Sequence, residues 1–179
     1  MTRYVALLRG IGPMNPNMRN EKLRGVCEDL GFDNVQTVIS SGNVVFETQS
    51  GQVSDLEAML EGAWPMNLGF ESTTIIRSQQ QLLELVNSGP FADLEHGQES
   101  YLLVTFSKHP LEIDFDVPFR PADDDWSIIG ATSRELFSVT DTTSATTPNV
   151  MSWLEGQLGK EITSRTWLTV ERILKRMQS

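Results

Sequence analysis

Arg9 and Arg19 stand at the two ends of the segment RGIGPMNPNMR (9–19), which holds two glycines, two prolines and two asparagines and follows directly on the apolar run YVALL (4–8). These residue types suit anion binding. Guanidinium groups offer forked donors to phosphate or carboxylate oxygens, and glycine lets backbone N–H groups come close to a ligand. A helix that starts just beyond such a loop turns its unpaired N–H groups and the positive end of its dipole toward the same place. On this reading the candidate ligand contacts are Arg9, Gly10, Gly12, Asn17 and Arg19, with Ser41 and Asn43 from the turn SSGN (40–43) and Arg165 from near the other end of the chain. The alternative is structural: the glycines and prolines shape a long connection, and Ser-Gly-Asn is ordinary hairpin chemistry.

Other chemistries find less support. Cys27, the one cysteine, falls on the apolar side of a helical pattern, where a thiol packs as a small hydrophobe, and it has no partner for an internal disulfide. His96 and His109 are distant in sequence and lack zinc-ligand spacing. His109 precedes Pro110 in an acidic stretch, with no serine or cysteine visibly paired to it. Asp123, Asp124 and Asp125 are adjacent, and three neighbouring carboxylates do not easily converge on one magnesium ion. Neither the lysine-containing phosphate loop nor the GxGxxG fingerprint occurs. No metal or cofactor is expected.

Composition bounds the remaining choices. With 39% hydrophobic and 21% charged residues over 179 positions, the chain suits one substantial core or two small subdomains. Its longest apolar runs fall far short of the roughly 20 residues of a membrane span. Residues 1–9 read as a strand rather than a secretory leader, so the expected location is the cytoplasm. The net charge of −10 disfavours nucleic acid and anionic membranes. Ten of the fourteen basic residues nevertheless lie in the first 24 or last 20 positions, among them Arg3, Arg9, Arg19, Arg165, Arg172, Lys175 and Arg176. If the two ends meet, they form a basic patch on an acidic body; otherwise they are solvated helix faces.

Periodicity supplies the elements that would position these residues. RYVALLR (3–9) reads as a strand, and Leu23, Val26, Cys27 and Leu30 mark a helix that Asn17 would N-cap. Two strands, 34–40 and 43–48, flank a tight two-residue turn at Ser41-Gly42. A helix over 53–63 and a strand over 70–78 complete βαββαβ, the ferredoxin-like order. The second half is less regular: a helix at 79–87, a strand at 101–107, an irregular proline-rich stretch at 108–125, strands at 126–130 and 134–140, a polar loop at 141–148, and helices at 149–158 and about 166–177. Trp167 heads the apolar stripe of the last helix and is expected to be largely buried. The expected fold is α+β, with a ferredoxin-like subdomain over 1–78 packed closely with a second subdomain over 79–179.

Four stretches in this order, RYVALLRGI (3–11), RNEKLRGVCEDLGF (19–32), VISSGNVVF (38–46) and TSRTWLTVERI (163–173), resemble the bacterial family known as domain of unknown function 1697. The resemblance runs over essentially the whole chain and implies a small α+β fold built from ferredoxin-like halves. It implies no biochemical activity. The chain departs from the family pattern twice. Gly12-Pro13-Met14-Asn15-Pro16 replaces an Asn-Val-Gly-Gly type of sequence that often carries a lysine. Arg165-Thr166-Trp167-Leu168-Thr169-Val170 replaces Arg-Asn-Trp-Asn-Thr-Val, with both asparagines gone.

The expected function is therefore a small-molecule binder, or an enzyme, for an anionic or phosphate-bearing ligand, with the strand exit at Arg9 and the start of the last helix at Arg165 bordering one cleft. One alternative is a protein-interaction module anchored on exposed aromatics such as Trp64 or Trp126. Another, ranked last, is RNA binding by a ferredoxin-like sheet, for which Tyr4 and Phe46 are the only sheet aromatics offered by RYVALLR and NVVFET. The sequence does not fix an oligomeric state.

Overall fold

The computed structural model describes residues 1–40, 42–49, 51–143 and 150–179. Among these it is a mixed α+β protein with five helices and two four-stranded antiparallel sheets. The chain divides into two compact units, Met1–Glu84 with Glu171–Ser179, and Leu85–Val170.

In the first unit, β1 (Thr2–Leu8) lies between β3 (Asn43–Thr48) and β4 (Thr74–Ser78), with β2 (Asp33–Thr37) outside β3. Helix α1 (Asn20–Asp29) joins β1 to β2, and α2 (Val53–Leu68) joins β3 to β4, so the order is βαββαβ. The 3.6-residue spacing of Leu23, Val26 and Cys27 on α1 and of Leu56, Leu60, Ala63 and Trp64 on α2 buries one stripe of each helix. Both stripes share a core with alternate sheet residues Tyr4, Ala6, Leu8, Val44, Phe46 and Ile76. The Trp64 indole N–H donates to Thr74 Oγ1 at 2.9 Å, so the largest buried side chain of this core is also satisfied. Strand β4 is the sheet edge, and α2 covers it with acceptors. Glu61 Oε1 takes the Thr74 N–H at 2.9 Å and Glu57 Oε1 takes the Ile76 N–H at 3.0 Å, which blunts an edge that would otherwise template a foreign strand.

The structure corrects several local expectations. Helix α2 continues past residue 63 through Pro65, which gives up one backbone hydrogen bond and crowds the preceding turn, and stops at Gly69 in a left-handed cap. Strand β4 begins at Thr74, not 70. Asn17 does not cap α1: Asn15 Oδ1 accepts the Asn17 N–H at 3.0 Å and caps a short 3-10 turn (Pro16–Met18), while the N-cap of α1 is Arg19, with no side-chain cap bond. The β2–β3 connection is not a two-residue turn. Ile39 has φ +59 and leaves the ladder; the Val38 N–H donates to Asn43 O and Asn43 Nδ2 donates to Val38 O, both at 3.0 Å, closing a longer loop. Ser41 lies outside the described residues.

In the second unit, which α3 (Gln79–Asn87) leads into, β5 (Tyr101–Ser107) lies between β7 (Glu135–Thr140) and β8 (Ile162–Thr166), with β6 (Trp126–Ala131) outside β7. Helix α4 (Val150–Leu158) precedes β8, and α5 (Trp167–Met177) follows it without a break. Residues 144–149 of the expected polar loop and helix start lie outside the described residues. Leu111, Phe115, Val117 and Phe119, from the irregular stretch 108–125, pack on a core of Trp126, Ile128, Leu136, Val150, Leu154 and Ile162. Phe119 stacks on Trp153 with ring centroids 5.0 Å apart. Strand β8 is absent from the sequence-based expectation because ITSRT has only one apolar residue.

The two sheets repeat one plan. Their strand orders, β2-β3-β1-β4 and β6-β7-β5-β8, correspond strand for strand. So do their registers: Thr2 opposite Thr48 matches Tyr101 opposite Thr140, and Tyr4 opposite Ser78 matches Leu103 opposite Thr166. The second strand of each set carries a register shift, between Asp33 and Gln36 and between Ile128 and Gly130. Each fourth strand runs straight into a helix whose first turn is capped alike: Ser78 Oγ accepts the Gln81 N–H and Thr166 Oγ1 accepts the Thr169 N–H, both at 3.2 Å. The irregular stretch 108–125 occupies the position of α1 in this plan.

Two stability measurements test this packing. Gly42 has φ +80, and a Cβ there would come within 2.8 Å of the Ile11 side chain and 3.0 Å of Leu8. Gly42→Ala therefore costs about 2–4 kcal/mol in urea unfolding, from left-handed strain plus overpacking. Cys27 is buried on α1, and burial, with Glu28 beside it, pushes its thiol from 9.0 up to about 12. The folded thiol keeps its proton where the unfolded one ionises, so stability is intact below pH 9 and declines above it by up to about 1.4 kcal/mol per pH unit. Cys27→Ala removes that component from the pH profile of unfolding.

Candidate functional site

The opening loop is tied down at both ends. At the exit of β1 the Leu8 N–H donates to Gly42 O and the Arg9 N–H to Thr73 O, each at 2.9 Å, and Ser72 Oγ donates to Arg9 O at 2.7 Å. Arg9 is half-buried there. Beyond it, Gly10 is exposed with φ +73, and the Gly12 N–H faces Met18 Sδ at 3.4 Å. Asn17 Nδ2 donates to Leu68 O at 3.1 Å, fastening the loop to the end of α2, and Asn20 Nδ2 donates to Ile39 O at 2.9 Å, fastening the start of α1 to the β2–β3 loop. Arg19 is exposed at the uncapped start of α1.

Two of the expected contacts, Asn43 and Arg165, are buried. Asn43 is buried and spends its amide on Val38 O, a structural role. Arg165 lies in the second unit, on β8 rather than at the start of the last helix. It is buried, donates to Thr163 Oγ1 at 2.7 Å and to Ser164 O at 2.9 Å, and burial lowers its pKa to about 10. Its counterpart in the repeated plan is Arg77, also buried and likewise bonded to the preceding carbonyl, Ile76 O, at 3.1 Å. Trp64 and Trp126 are core residues, so neither is an exposed anchor for a partner, and Tyr4 and Phe46 are buried as well. Trp167 is only partly buried, packed edge-on against Phe91 at 5.2 Å, and the stripe of α5 is completed by Ile173.

The chain ends do meet in the first unit. The Arg3 guanidinium donates to Met177 O and to Glu47 Oε1, and also to Ser179 O at 3.1 Å. Asn34 and then Arg3, hydrogen-bonded to the Glu47 carboxylate, hold its pKa below the usual range. Beside this junction a cleft of about 390 Å³ opens between the β2–β3 loop and α5, lined by Val38, Ile39, Arg172, Lys175, Arg176 and Ser179. The second unit has a cleft of about 320 Å³ bordered by Ser107, His109, Glu112, Gln157 and Glu161, among others, in which His109 Nε2 and Glu161 Oε2 are 2.8 Å apart. Both partners are more than half exposed, so their pairing is weak. Among the described residues no group of three His, Cys, Asp or Glu side chains is placed to hold a metal ion, and no helix is long and apolar enough to cross a membrane.

The fold is thus a mixed α+β one in which two four-stranded antiparallel sheets repeat one strand plan. The chain belongs to the family described as "Protein of unknown function (DUF1697)", whose pattern matches residues 1–137. Its fold is similar to the solved structure of a conserved bacterial protein from Streptococcus pneumoniae, with a TM-score of 0.74 and 18% identity over 100% of this chain and 99% of that one. No curated protein matches it.

Asn43 offers a check on the division between structural and ligand-facing residues. Asn43→Ala leaves Val38 O without its donor in a buried place, and is expected to cost about 1–3 kcal/mol in thermal or urea unfolding. A residue needed only by a ligand would leave stability unchanged.

Proposed function

We propose that this protein, in the cytoplasm, binds a small anionic, phosphate-bearing molecule at the opening loop of its first unit, as a binder or as an enzyme acting on that molecule. The observation that carries this reading is the interlocked loop surface. Gly42 abuts Leu8 and Ile11, Asn20 holds Ile39, and Asn17 holds Leu68, so the loop is fixed before any ligand arrives. A preformed loop avoids the ordering cost of binding. Gly10 and Arg19 are exposed on it, Arg9 stands half-buried at its root, and the first N–H groups of α1 have no side-chain cap. Backbone donors and a guanidinium at a helix start are suited to phosphate. Asn17 and Asn43 then act by shaping the loops. Arg165, held within the second unit, is left out of the site.

The same reading takes the first unit as ferredoxin-like, supported by its βαββαβ order and the placement of β1 and β3 at the centre of the sheet. An anion site on a loop beside that sheet needs neither exposed sheet aromatics nor a partner protein. The burial of Trp64, Trp126, Tyr4 and Phe46 weakens the interaction-module and RNA-binding readings.

Thermal unfolding against a panel of phosphorylated metabolites tests the proposal. A ligand that binds only the folded state at 100 times its Kd adds about 2.7 kcal/mol of stability. Arg19→Ala is expected to abolish that gain while leaving the melting temperature of the free protein unchanged. A panel without any stabilising member, or a gain that survives Arg19→Ala, counts against the opening loop as the site.

A further inference from the structure

We infer that the first unit carries a second, separate anion site: the cleft between the β2–β3 loop and α5, shaped for a molecule that joins a phosphate group to an apolar body. It does not depend on the opening loop binding anything. Arg172, Lys175 and Arg176 all line the cleft and all are exposed. They sit three and four residues apart, a spacing that brings like charges together on one helix face and weakens the helix. The negative end of the helix dipole compensates Lys175 and Arg176 in the last turn, but not Arg172, a turn earlier.

Pairing does not relieve the repulsion. The chain as a whole carries 24 acidic and 14 basic residues. Among the described residues Arg172 and Lys175 have no hydrogen-bonded or ionic partner, and Arg176 reaches only the neutral amide oxygen Gln36 Oε1, at 3.3 Å. Three cations lining one concavity, with no side-chain carboxylate paired to any of them, leave a local positive potential on a negative protein. That potential attracts small anions.

The opposite wall explains why the ligand has an apolar part. Ile39 is 41% exposed and holds φ +59, a conformation that a β-branched residue rarely adopts. The Asn20 Nδ2 bond to Ile39 O and the Val38–Asn43 pair hold it there. Strain kept in place at an exposed isoleucine, on the lip of a basic cleft, is the kind of local cost found at binding sites. The cations would take the phosphate oxygens, and Val38 and Ile39 the hydrocarbon.

Titration of the full chain with phenyl phosphate, followed by backbone amide NMR, tests this, with inorganic phosphate and phenol as separate arms. The expected result is saturable shifts confined to residues 36–40 and 171–179, tighter for phenyl phosphate than for either fragment. Arg172→Gln with Lys175→Gln should weaken phenyl phosphate by about tenfold or more, whereas Arg19→Ala should not change it. Ile39→Gly relieves the backbone and removes the wall; it should lower affinity for phenyl phosphate to that for inorganic phosphate while leaving the protein folded. Shifts that do not saturate, or binding unchanged in the double glutamine variant, would overturn the inference. So would equal affinities for phenyl and inorganic phosphate in the unaltered protein.

Discussion

The close approach of Gly42 to Leu8 and Ile11 is the constraint on which the loops of the first unit depend. There is no room for a side chain between the β2–β3 loop and the exit of β1, so the two run together and the Leu8 N–H finds its acceptor on Gly42. Once they are joined, the direction of the opening loop is set, and the turn at Pro16–Met18 delivers the chain to α1. The same loop reaches the other way through Val38 and Ile39 to the cleft beside α5. Both proposed anion sites therefore have a wall in a single short connection.

Repetition of the sheet plan clarifies which features are structural. A buried arginine on the fourth strand occurs in both units, at Arg77 and Arg165, each bonded to the carbonyl before it. A feature that recurs in the same register with the same local partner belongs to the plan. The hydroxyl caps of α3 and α5 are of the same kind. By contrast, the opening loop and the basic face of α5 have no counterpart of like chemistry. The position of Arg9 is taken by Lys108, but a His109–Glu161 pair follows where the first unit has Gly10.

Much of the first unit was legible because its signals are long-range in sequence pattern and local in cause. Short continuous apolar runs at 4–8 and 44–46, and the i, i+3, i+4 stripes of α1 and α2, state their own structure. The errors fell where one hydrogen bond decides the outcome. Asn15 and Asn17 are equally good caps by type, and only the backbone shows which one turns its oxygen inward. The β2–β3 loop is longer than the Ser-Gly pair suggests, because an isoleucine with positive φ has no sequence signature. Strand β8 has no sequence signal because ITSRT owes its place to pairing with β5 rather than to its own hydrophobicity. For the site, the concentration of cations at both chain ends was visible. That Arg172, Lys175 and Arg176 line one cleft with Ile39 was not, since proximity of residues so far apart in the chain leaves no trace in a single sequence.

Helix α5 begins in one unit and finishes in the other, with Glu171–Ser179 belonging to the first unit although they follow the whole of the second. The order of synthesis acquires a meaning from this. The βαββαβ portion emerges early and can bury the core beneath α1 and α2. Arg3, however, must wait for Met177 and Ser179, which are made only after every strand of the second unit. The first unit is thus the earliest to start and the last to be finished. Its closing step joins residues far apart in the chain, the kind of contact that slows folding. A ribosome-bound chain short of these residues lacks the helical wall of the basic cleft.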